Sequence, residues 1–170
     1  MGMWIGIFIA LFVLGSMMAL KPSGIDQRLD KLRMSARRLQ LNPKLIACPD
    51  WIRGKDDEHG RGMMAQYGLV LEGKKLPHAR YQAVNGEWRA TEGEGIPANF
   101  ALDKVAIDLP PTIAPFAKGL LIKANSIVIY WEDIAYVRPA TNPSYNTSAI
   151  EPDLIALKEQ LHAWTMQMQH

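Results

Sequence analysis

GLLIKANSIVIYWED, residues 119–133, holds two apolar runs, Leu120–Ile122 and Ile127–Trp131, joined by Ala124-Asn125-Ser126. β-Branched and aromatic side chains fit a pleated surface, and an Asn-Ser pair favours a tight turn, so the stretch predicts a β-hairpin. Working outward, further strands are expected at 44–48 (KLIAC), 65–71 (AQYGLVL), 79–84 (ARYQAV) and 87–91 (EWRAT). Asn85-Gly86 between the last two is a two-residue hairpin signal. Residues 100–119 are interrupted by Pro110, Pro111 and Pro115, and read as a strand or short helix leading into a loop. After Pro152, which suits the first turn of a helix, Leu154, Leu157, Leu161, Trp164 and Met168 recur at helical spacing. Antiparallel strands closed by a C-terminal helix make residues 44–170 a small α+β domain.

The N-terminal end has a different character. Residues 1–20, MGMWIGIFIALFVLGSMMAL, carry no charge. As a helix they extend about 30 Å, the thickness of a bilayer's hydrocarbon core. A cleaved leader needs a basic start and small residues at its cleavage site. No Lys or Arg precedes Trp4, and Met17 and Met18 occupy the positions that would have to be small. The expectation is a retained transmembrane helix, with Trp4 anchoring one interface and Lys21 reaching into the other. Gly2 and Gly6 form a G-x-x-x-G pair at the end of the run, where it contributes little to helix pairing.

Charge fixes the expected orientation. Residues 21–44 hold seven basic side chains, Lys21, Arg28, Lys31, Arg33, Arg37, Arg38 and Lys44, against Asp26 and Asp30, a balance of +5. The whole chain is +2, so the remainder is −3. Basic residues flanking a span stay in the cytoplasm, which puts the N-terminus outside and residues 44–170 inside. With the positive charge confined beside an apolar run, a nucleic-acid partner is not expected. Pro22 and Gly24 break the chain, Ser23 with Asp26 reads as a capping box, and Asn42-Pro43 stops the next helix. Between them Ile25, Leu29, Leu32, Ala36 and Leu39 form one stripe. Residues 21–43 are thus a basic amphipathic juxtamembrane helix. Its stripe lies on the anionic leaflet, or packs on the protein's own domain with the basic face solvated.

The order apolar span, Lys21-Pro22-Ser23, Gln27-Arg28, Lys31-Leu32-Arg33 resembles the start of the YajC family, an accessory subunit of the bacterial preprotein translocase. The resemblance covers residues 4–44 and lacks that family's Thr-Gly-Gly turn. The whole layout is similar to small single-span gammaproteobacterial inner-membrane proteins sometimes given the same label. Both resemblances imply an inner-membrane location beside a larger assembly and no catalytic residue. Separately, Tyr130–Ile134 (YWEDI), a curved sheet and a closing helix resemble bacterial pleckstrin-homology-like domains, which implies a lipid-headgroup or small-ligand site.

Candidate chemistry is sparse. Asp56, Asp57, Glu58 and His59 are contiguous in one loop, and neighbours in a loop rarely converge on one ion. Cys48 has no second cysteine to pair with. His78 and His162 have no evident partners in sequence. Glu92 with Glu94, or Glu132 with Asp133, are carboxylate pairs whose acid and base roles require environments that separate them. Trp51, Trp88, Trp131 and Trp164 read as core or groove-lining residues. No nucleotide, hydrolase or metalloprotease motif is present, so neither enzyme activity nor a cofactor is expected. The expected function is that of an accessory or assembly subunit of a membrane complex, whose partners are the lipid bilayer and another membrane protein. A membrane-tethered lipid-headgroup or small-ligand binding module is the alternative.

Overall fold

The computed structural model describes residues 2–19, 24–53, 60, 62–93 and 95–168. Two N-terminal helices, α1 (Gly2–Ala19) and α2 (Gly24–Arg38), precede six strands: β1 (Lys44–Ala47), β2 (Met63–Val70), β3 (Leu76–Val84), β4 (Glu87–Thr91), β5 (Ala117–Ala124) and β6 (Ser126–Trp131). A short α3 (Asp133–Val137) and a long α4 (Thr147–Met168) complete the α+β fold. The strands form one open antiparallel sheet in the order β1-β2-β6-β5-β3-β4.

Both hairpins expected from sequence form. Asn85 and Gly86 take φ values of +52° and +78°, the left-handed pair that a two-residue turn needs to match strand twist. In the β5–β6 hairpin, Lys123 pairs with Ser126 across Ala124-Asn125.

Strand alternation gives the sheet two faces. Ala65, Tyr67 and Leu69 of β2, Leu120 and Ile122 of β5, and Ile127, Ile129 and Trp131 of β6 point to the face covered by α2 and α4. The stripe Leu154, Leu157, Leu161, Trp164 and Met168 is buried there, as expected. The helix begins earlier than Pro152 suggests. Asn146 accepts the Ser148 N–H on Oδ1 and the Ala149 N–H on its carbonyl, capping a start at Thr147 and leaving Pro152 inside the helix. The extra turn adds Ile150 to the buried stripe.

The opposite face carries a smaller core that sequence reading missed. Cys48, Ile52, Met64 and Tyr130 pack together, with Trp51 edge-on to Tyr130 at 5.7 Å. Gly119 makes this possible, because a Cβ there would lie 2.7 Å from Ile52 Cδ1. A larger residue there would force the Ile52 side chain to move.

Residues 100–116 form turns and a single 3₁₀ turn (Ala114–Phe116), and their role is to close the β4 edge. Trp88 N–H donates to Val105 O at 2.9 Å, Lys104 N–H to Trp88 O at 2.7 Å, Ile107 N–H to Gly86 O at 2.8 Å, and Ala90 N–H to Asp103 Oδ1 at 3.0 Å. Covering an edge this way blocks unwanted strand pairing. The other edge, β1, pairs with β2 alone.

The transmembrane helix expected over residues 1–20 is not borne out at this level, because among the described residues no helix is long and apolar enough to cross a membrane. α1 is 18 residues long, and its side chains from Gly2 to Met17 are all exposed, Phe8 at 70% and Phe12 at 77%. Lys21 and the Ser23 cap lie outside the described residues.

Candidate docking groove beside the open edge

The stripe on α2 faces the protein itself. Leu32 and Ala36 are fully buried, and Ile25, Leu29 and Leu39 pack against the same core. Of the two readings of this helix, the structure has the stripe on the domain, where it joins the main core alongside α3 and α4. Lys31, Arg37 and Arg38 are left exposed, with Arg37 and Arg38 in the last turn, where positive charge complements the helix dipole. Arg28 and Arg33 are drawn inward.

Arg33 meets Asp133, which is 3% exposed. Arg33 Nε donates to Asp133 Oδ2 at 2.9 Å and Nη2 to Oδ1 at 3.3 Å, a two-pronged pair. The Tyr67 hydroxyl donates to the same Oδ2 at 3.0 Å. Both carboxylate oxygens are therefore engaged, and α2, β2 and α3 are tied at one point. Burial, reinforced by the adjacent Asp133, pushes the Tyr67 hydroxyl well above its ordinary pKa. Burial of the Arg33 guanidinium opposes its charge, but Asp133 outweighs that and raises its pKa. Nearby, Tyr136 donates to Asp153 Oδ2 at 2.7 Å, as does Thr112 at 2.9 Å, joining α3 to α4.

This ion pair floors a groove of about 440 Å³ between α2, α3 and the β1–β2 edge. Its walls are Leu29, Leu45, Met63, Ala65 and Ile134, and its rim carries Asp26, Glu132 and Arg138. Leu45 pairs with Ala65 and Met63 with Ala47, so both side chains share the helix-covered face, yet they are 53% and 59% exposed. Apolar walls, a few charged groups and an unpaired strand edge suit recognition of another polypeptide. Asp133 is committed to Arg33 and Tyr67, which leaves Asp26 and Glu132 as the carboxylates of the rim.

The other candidates do not converge. Glu132 is half-buried and stands beside Asp133 without sharing its contacts. Residues 56–59 and Glu94 lie outside the described residues, while Glu92 and His162 are exposed and far apart in the chain. His78 is half-buried on β3. Among the described residues no group of three or more His, Cys, Asp or Glu is placed to hold a metal ion. Trp88, Trp131 and Trp164 are fully buried, with Trp88 and Trp164 edge-to-face at 5.4 Å. Trp51 is half-buried beneath the Arg80 guanidinium, 5.1 Å from its ring centre.

The importance of the groove was not legible in advance. Arg33 and Asp133 are 100 residues apart, and only the fold joins them. Comparison of the chain with protein-family models, curated proteins and solved structures finds no match.

Proposed function

We propose that this protein is an accessory or assembly subunit held on the bacterial inner membrane by its first 20 residues, with the α+β domain in the cytoplasm. The observation that carries the reading is α1. An apolar helix whose side chains are exposed on every side is stable only in an apolar surrounding. Its 18 residues rise about 27 Å, short of the ~30 Å hydrocarbon core, while the sequence itself stays apolar through Leu20. The basic residues after the run support the cytoplasmic assignment of the domain.

The groove beside β1 is the surface offered to another membrane protein, and the role is binding rather than catalysis. A bound segment would bury Leu45 and Met63 and pair with the free edge of β1. The full chain isolated in mild detergent is expected to bring down a stoichiometric protein partner. Leu45→Glu with Met63→Glu should lose it, because two carboxylates would then be buried at the contact. Both side chains are solvent-exposed without a partner, so the melting temperature of this variant should stay within a degree or two of the parent. Retention of the partner by the double variant rules the groove out. Recovery of the parent chain alone with bound lipid favours the lipid-headgroup module instead.

A further inference from the structure

The identity of the groove's occupant rests on the reading of that groove as a polypeptide-docking surface, and the edge of β1 specifies it further. Cys48 N–H donates to Gly62 O at 2.9 Å, and the same register pairs Ile46 with Met64 and Lys44 with Gln66. In an antiparallel ladder the hydrogen-bonded residues alternate, so Lys44, Ile46 and Cys48 turn their backbone groups towards β2. Leu45 and Ala47 therefore point their N–H and C=O at the open edge. Pro43 and Pro49 bound the segment, since neither can donate to a ladder. The stretch free to pair is thus 44–48, with Ile46 at its centre.

Reversed, this stretch is complementary to itself. With Ile46 opposite Ile46 of a second copy, Leu45 of each copy faces Ala47 of the other, and the outward N–H and C=O of both residues find partners. Opposite residues of an antiparallel pair share a face, so on the helix side a large side chain meets a small one. Ala47 is also the neighbour of Met63 on β2. Its small side chain leaves the exposed Met63 of one copy within reach of the exposed Leu45 of the other. Charge matches in the same arrangement. The Ala47 end of the strand is flanked by exposed Asp26 and Asp50 and half-buried Glu132, against Arg138. At the Lys44 end, where Leu41 O accepts the Gly68 N–H, Arg37, Arg38 and Lys44 are exposed and the sequence has no carboxylate from 31 to 49. Reversal brings the basic end of each copy to the more acidic end of the other.

We propose that the groove and edge are occupied by a second copy of this chain, whose β1 pairs antiparallel with β1 about a two-fold axis at Ile46 and joins the two sheets into one. The contact is short, with two Leu45–Ala47 pairs carrying its backbone hydrogen bonds. Holding both copies in one bilayer by α1 raises their effective concentration, so a short contact suffices. The two-fold stands normal to the sheet. Both α2 helices then lie on one side of it, and both α1 segments can enter the same membrane.

The test uses the full chain carrying Cys48→Ala and a single new cysteine, Ile46→Cys or Lys44→Cys, reconstituted at low density into phospholipid vesicles and treated with a mild oxidant. The two copies of residue 46 form a non-hydrogen-bonded pair with Cα atoms about 4.5 Å apart, within reach of a disulfide. The two copies of residue 44 are about 14 Å apart along the strands, beyond that reach. Cross-linking into a two-chain species should be at least ten-fold faster at 46 than at 44. Adding Ala47→Pro should reduce the rate at 46 to that at 44, because it removes an N–H that points away from β2 and spares the ladder within the chain. If Ala47→Pro lowers the melting temperature by more than a few degrees, the ratio between 46 and 44 decides by itself. Equal rates at 46 and 44, or a rate at 46 that a folded Ala47→Pro chain keeps, overturn the edge pairing. Folded chains that cross-link at neither position overturn the second copy. In that event the docking role of the groove survives if the parent in mild detergent carries a different protein that Leu45→Glu with Met63→Glu loses, and falls with the inference if it carries none.

Discussion

Leu161→Ala should destabilise the domain by about 2 to 5 kcal/mol, the usual cost of emptying a fully buried leucine site. Leu161 is fully buried in the stripe of α4, within the same core as Tyr67, Leu120, Ile127 and Ile129 of the sheet. The helix also covers the β3–β4 end of the same face, where Trp164 packs on Trp88 and the Tyr81 hydroxyl reaches Met168 Sδ at 3.6 Å. A rigid scaffold on both flanks leaves little room for collapse into the cavity, which favours the upper part of that range. Against a typical stability of about 5 to 15 kcal/mol, the thermal midpoint should drop clearly. An unchanged midpoint would mean that α4 is a loosely held flap rather than part of the core.

Arg33→Met should cost about 3 to 5 kcal/mol, the range for removing one partner of a buried ion pair. Methionine keeps most of the packing volume of the arginine stem, so the loss reports the charge. Asp133 would retain only the Tyr67 hydroxyl and stay enclosed without a counter-ion. The double variant Arg33→Met with Asp133→Leu should recover part of that loss, because no unpaired charge remains, with the Tyr67 hydroxyl, now without its acceptor, keeping about 1 to 3 kcal/mol of it. Denaturant midpoints of the two variants decide this. A single variant as stable as the parent, or a double variant as unstable as the single one, would show that the pair does not hold α2 onto α3.

The range of each interaction decides how much of the fold and the groove was legible in the sequence. The β3–β4 hairpin was readable because Asn85-Gly86 can fill its own left-handed positions without help from the rest of the chain. The buried stripe of α4 was readable because one helix face repeats locally. What covers the stripe of α2 was not, since a leaflet and a sheet satisfy the same apolar pattern. The choice depends on Tyr67, Trp131 and Tyr136, all far from α2 in sequence, sharing one core with its buried face. Likewise, Ile52 seated on Gly119 and residues 102–107 laid along β4 depend on long-range backbone approach, which leaves no periodic trace. Arg28 and Arg33 read as membrane-facing because only their charge was visible. Their partners Val137, Tyr145 and Asp133 emerge from the fold.

The central claim is that residues 1–20 hold the domain to a bilayer, and flotation of the full chain with phospholipid vesicles tests it most directly. In high salt, which screens surface attraction, the parent should rise with the vesicles. Ile9→Lys with Phe12→Lys places two charges near the middle of the apolar run, each costing about 2.5 to 3.5 kcal/mol at a bilayer centre. That variant should remain at the bottom of the gradient with its domain folded. A parent chain that stays at the bottom beside the variant, both of them folded, would contradict the account.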